Sequence, residues 1–61
     1  MDQIRLRYEA NFEGINSKLK ELKSKVKKHK TQFEKNSSNW GFVGDLSHIN
    51  TELENLVKFL K

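Results

Sequence analysis

The sequence predicts an all-α fold: an antiparallel helical hairpin of one long helix, a loop and a shorter helix, assembling as an antiparallel homodimeric bundle. Three observations predict it. From Tyr8 to Phe33 an apolar residue recurs every three or four positions, through Phe12, Ile15, Leu19, Leu22 and Val26, with His29 the one polar interruption. That spacing is the mark of a helical seam. The 61 residues include no proline, and 33% are charged, a composition that suits long helices better than a sandwich or barrel. A cluster of Asn, Ser and Gly between Asn36 and Gly44 then interrupts the pattern, and a second apolar set follows it at Leu46, Ile49, Leu53, Leu56 and Leu60.

The first helix is expected over about 2–35. Gly14, followed by Asn16 and Ser17, is its weak point: a glycine costs about 1 kcal/mol against alanine inside a helix, and Ser17 can cap a new one. The seam phase nevertheless runs through undisturbed, since Phe12 to Ile15 and Ile15 to Leu19 keep the three-four spacing, so one continuous helix is expected. The loop is expected over about 36–44, where Asn36-Ser37-Ser38-Asn39, Gly41 and Gly44 compete with helical hydrogen bonding or allow unusual backbone angles. The second helix is expected over about 45–60, with Asp45 as its N-cap. The whole, 1–61, reads as a single domain.

A chain of this length buries only about 60% of the surface its unfolded form exposes, so a lone core is marginal. Small proteins add disulfides, a metal or a partner subunit. With no cysteine, the first option and the thiolate metal sites are both removed. At ~1.5 Å per residue the expected helices are about 50 Å and about 24 Å long. Folded back, the shorter one would reach only as far as Leu22, with Phe33 near Ile49, Val26 near Leu56 and Val57, and His29 facing Leu53. Ile4, Tyr8, Phe12 and Ile15 would stay bare, each forgoing roughly 1.5–3 kcal/mol of burial. Ile4, Tyr8, Phe12, Ile15 and Leu19 are therefore the expected self-association surface.

Charge selects among the arrangements. Residues 1–17 carry a net −1, residues 18–35 hold eight lysines against Glu21 and Glu34 for +6, and residues 36–61 carry −1. With Phe12, Leu19, Val26 and Phe33 as the a positions, a parallel in-register dimer sets Lys18 against the Lys23 of its mate and Lys25 against Lys30. An antiparallel dimer instead lays the acidic first half of the long helix beside the lysine-rich second half of the other chain.

Two stretches carry the functional expectations. Lys20, Lys23, Lys27, Lys28 and Lys30 offer charge for phosphate contacts, without the arginine forks or interleaved aromatics that read or stack on bases. The simpler reading is a solvated face that keeps a small oligomer soluble. Trp40, Phe42 and Val43, between glycines, either close over the hairpin end beside Phe33 and Leu46 or stand out as a protein-binding anchor. Burial of Trp40 distinguishes the two.

No nucleophile elbow, phosphate loop or enclosed carboxylate pair is present, so no enzyme, small-molecule substrate or cofactor is expected. His29 and His48 fall out of line with one another and no ligand cluster supplies the three or four donors zinc requires, so no metal is expected either. No apolar run approaches the ~18 residues that cross a bilayer, and Met1-Asp2-Gln3-Ile4-Arg5 is no basic leader; the expectation is a cytoplasmic protein away from membranes. The overall expectation is a small non-enzymatic helical module that self-associates and binds another macromolecule, as a regulator, through a protein partner. The alternative is a nucleic-acid-binding regulator.

Overall fold

The computed structural model describes residues 2–60, which form two helices, α1 (Gln3–Lys35) and α2 (Trp40–Leu60), joined by a four-residue connection. Asp2 caps α1: its Oδ1 accepts from the Arg5 amide at 3.3 Å and its carbonyl from the Leu6 amide at 3.1 Å. The first bond satisfies an amide that has no partner inside the helix, and the second is the first bond of the helical ladder. The helix then runs unbroken through Gly14 to Lys35. Two i,i+4 pairs on its surface, Arg5 with Glu9 and Glu21 with Lys25, both at 3.3 Å, add a few tenths of a kcal/mol each. It ends where the Asn36 amide donates to the Phe33 carbonyl at 2.9 Å.

The connection is shorter than the sequence suggests, and the expected loop over 36–44 is corrected. Asn36 to Asn39 form a turn in which the Asn39 amide donates to the Asn36 carbonyl at 3.3 Å. The Asn39 side chain then accepts from the Gly41 amide at 2.8 Å and caps α2. Trp40, Phe42 and Val43 consequently lie in the opening turns of a helix, and Asp45 lies past the cap it was expected to provide. Gly41 and Gly44 suggested irregular backbone, yet no described residue has positive φ. Two glycines in a helix cost about 1 kcal/mol each. Packing by Phe42 opposes that cost: its ring meets His29 edge-on at 5.0 Å and Phe33 edge-on at 6.2 Å between centroids.

These contacts set the register. Phe33 lies beside Phe42 where Ile49 was expected, and His29 lies beside Asp45 and Phe42 where Leu53 was expected. The displacement from Ile49 to Phe42 is seven residues, one heptad, so the same helix faces still meet. Continued along the hairpin, this register brings Val26 level with Ile49, Leu22 with Leu53, Leu19 with Leu56, and Ile15 with Leu60. Apart from Gly14, the half-buried residues follow that line: Leu22, Val26, His29 and Phe33 on α1, with Phe42, Ile49 and Leu53 on α2.

No described residue is fully buried. With Cα extents of 55 × 21 × 13 Å, the hairpin is one layer of two helices, with a seam in place of an enclosed core. The 21 residues of α2 give a length of about 31 Å, which reaches the level of Ile15. The overhang of α1 is therefore Gln3 to Gly14, shorter than the expected bare stretch, which included Ile15.

Candidate functional site

Helical periodicity places Phe12 and Leu19 of α1 and Val43, Leu46 and Val57 of α2 on one side of the layer, whereas the exposed Leu6 and Phe59 fall on other faces. On α1, Phe12 and Leu19 stand a heptad apart, displaced from the seam toward the same side as Lys30. On α2, Val43, Asn50 and Val57 follow at heptad spacing, with Leu46 between them and the seam. A groove of about 390 Å³ on that side is lined by Lys30 and Phe33 of α1 and by Val43, Leu46, Ser47 and Asn50 of α2, with His29 and Phe42 at its floor. A second hollow continues it around the turn, between Phe33, Ser38, Trp40 and Val43. Both are open troughs along the hairpin, and neither encloses a reacting group.

The expected self-association residues are all more than half exposed, from Ile4 at 84% through Tyr8, Phe12 and Ile15 to Leu19 at 51%. Ile4, Tyr8 and Phe12 belong to the overhang. Ile15 and Leu19 have α2 residues at their level and stay exposed because a single neighbouring helix covers only one flank. Several apolar residues of α2 join them at the surface: Val43, Leu46, Leu56, Val57, Phe59 and Leu60. Leu46, Leu56 and Leu60 were expected on the seam, with Val57 beside Val26; the helical period sets Val57 and Phe59 off the seam.

The aromatic stretch does not act as one unit. Trp40 is 81% exposed on the first turn of α2, whereas Phe42 is half-buried against α1. Phe42 closes the hairpin end and Trp40 stands out from it, so one ring of the stretch packs against α1 and the other is exposed. Val43 lies between, on the wall of both hollows.

All five candidate phosphate-binding lysines are exposed. Lys20, Lys23, Lys27 and Lys30 follow i, i+3, i+7, i+10 spacing and form a stripe about 15 Å long on α1. Lys28 faces elsewhere. Among the described residues the ion pairs engage Arg5, Lys25, His29 and Lys58, leaving this stripe uncompensated within the chain. On the same flank, toward the N-terminus, the stripe continues as Glu9 and Glu13.

His29, the polar residue of the α1 seam, links the two helices through one polar contact. Its Nε2 donates to Asp45 Oδ2 at 3.1 Å, while its Nδ1 is buried with no hydrogen-bond partner. Among the described residues no group of three or more His, Cys, Asp or Glu is placed to hold a metal ion. No helix there is long and apolar enough to cross a membrane. No protein-family model, curated protein or solved structure matches the chain.

Proposed function

We propose that the protein is a small non-enzymatic helical module that self-associates through the exposed apolar side of the hairpin and presents Trp40 to a further protein partner. The observation that carries this reading is the exposure of Ile4, Tyr8, Phe12, Ile15 and Leu19 in a chain with no buried described residue. A stripe of that length is the driving surface of a helical bundle, and association gives it the cover that α2 leaves incomplete. Trp40 adds a rigid aromatic on a helix end beside an apolar hollow, the kind of side chain that dominates protein interfaces.

The double variant Phe12→Asp with Ile15→Asp tests the reading, because it places two charges in the stripe without touching the half-buried contacts around Phe33 and Phe42. The expected result is a shift in sedimentation from oligomer to monomer, with or without loss of helix signal. An unchanged mass together with intact helicity removes the assigned surface.

A second reading is favoured by the uncompensated stripe of Lys20, Lys23, Lys27 and Lys30, with the exposed Lys28 on another face of the helix: a regulator that contacts nucleic-acid phosphates. Such binding would be weakly selective, with affinity falling steeply as salt rises. Titration of a labelled duplex and a hairpin RNA at two salt concentrations tests it. Absence of binding at low salt removes this reading, and binding that survives Lys27→Glu with Lys28→Glu removes the assigned face.

A further inference from the structure

The overhang of α1 and the groove at the turn end of the hairpin match one another in length, chemistry and charge. We infer that the first turns of α1 from a second copy lie in the groove between α1 and α2 at the turn end, reciprocally, about a two-fold axis at Leu19. This rests on the self-association proposed above and specifies its geometry.

Leu19 is the midpoint of Gln3–Lys35. An antiparallel α1–α1 contact that overlaps over its full length must therefore place the axis there, with residue i level with residue 38 − i of the other copy. Ile4 then comes level with the turn end of the partner's α1, beside Phe33, where Phe42 and Val43 form the other wall. Tyr8 comes level with Lys30 and Leu46, and Phe12 with Val26 and Asn50. The overhang runs about 12 residues beyond α2, or about 18 Å, and it falls alongside the part of the partner that α2 accompanies. Each end of the assembly thus has three helices in cross-section, and four overlap near the middle.

Charge selects this direction. Glu9 and Glu13 share a flank with the lysine stripe, and antiparallel helices bring like flanks together. Glu9 falls level with residue 29 of the other copy, next to Lys27 and Lys30. Glu13 falls level with residue 25, next to Lys23 and Lys27. A parallel pairing would instead bring opposite flanks together and set Lys23 and Lys30 of the stripe against Lys18 and Lys25 of the other copy.

Area agrees with a partner of this size. The chain exposes 6080 Å² for 7.2 kDa. A compact monomer of that mass exposes about 4100 Å² by the usual scaling of surface with mass. The excess, about 2000 Å², exceeds the ~800 Å² per partner of a standard stable interface.

Site-directed cross-linking tests the arrangement, since the chain has no native cysteine. The double variant Tyr8→Cys with Lys30→Cys cannot close a disulfide within one chain, because 22 residues of helix separate the two positions by about 33 Å. Across the inferred axis the two positions are level. Brief oxidation at micromolar concentration is expected to yield covalent dimer at about ten times or more the level of either single variant, since association raises the effective thiol concentration. Leu19→Cys alone is expected to cross-link as well, and it leaves the groove and the overhang intact. Circular dichroism checks that both variants keep their helices. Efficient cross-linking of Tyr8→Cys alone, or none by Leu19→Cys in a chain that sediments as a dimer, overturns this geometry and leaves self-association standing. A monomer by sedimentation overturns both.

Discussion

At His29 one side chain serves two helices and leaves one of its own atoms unsatisfied. The ring packs edge-on against Phe42 and its Nε2 donates to Asp45, but Nδ1 is buried without a partner. The bond to Asp45 is partly solvated, since that carboxylate is 65% exposed, and pairs of this kind contribute about 0–1 kcal/mol. A buried polar atom without a partner costs about 1–3 kcal/mol. The second effect outweighs the first. His29→Leu keeps an apolar group against Phe42 and removes the stranded nitrogen, so the expected result is unchanged or raised stability, by up to about 1 kcal/mol. Chemical unfolding at a fixed chain concentration checks it, because any association makes stability depend on concentration. A loss of more than about 1 kcal/mol would mean that the His29–Asp45 bond sets the register of the hairpin.

The elements were legible to different degrees, for reasons that lie in the side chains. The seam of α1 was readable because large apolar residues hold one period from Tyr8 to Phe33, and that period carried the helix through Gly14. The start of α2 was not, because Gly41 and Gly44 suggest a turn while the residues that override them act at a distance. Asn39 supplies a cap through its side chain, and Phe42 finds Phe33 and His29 only once the hairpin has closed. Placing Asp45 at the helix start instead shifted the pairing by one heptad. Because the seam repeats every seven residues, the faces expected to meet did meet, with different residues on them. The lysine stripe and the exposed overhang could be read directly from spacing and charge. The groove could not, since its walls are brought together by the register.

As a whole molecule the hairpin is a single layer 13 Å thick in its Cα trace, and no described side chain is fully covered. Two helices can bury only the stripe along which they touch, so a second layer is what would turn the seam into a core. Self-association requires the apolar side between Ile4 and Val57 to be covered by another copy. Sedimentation equilibrium of the unaltered protein across a range of micromolar concentrations tests this most directly. The expected mass is about twice 7.2 kDa, falling toward the single-chain value on dilution as helix signal is lost. A single-chain mass at every concentration, with helicity and unfolding midpoint independent of concentration, would contradict it.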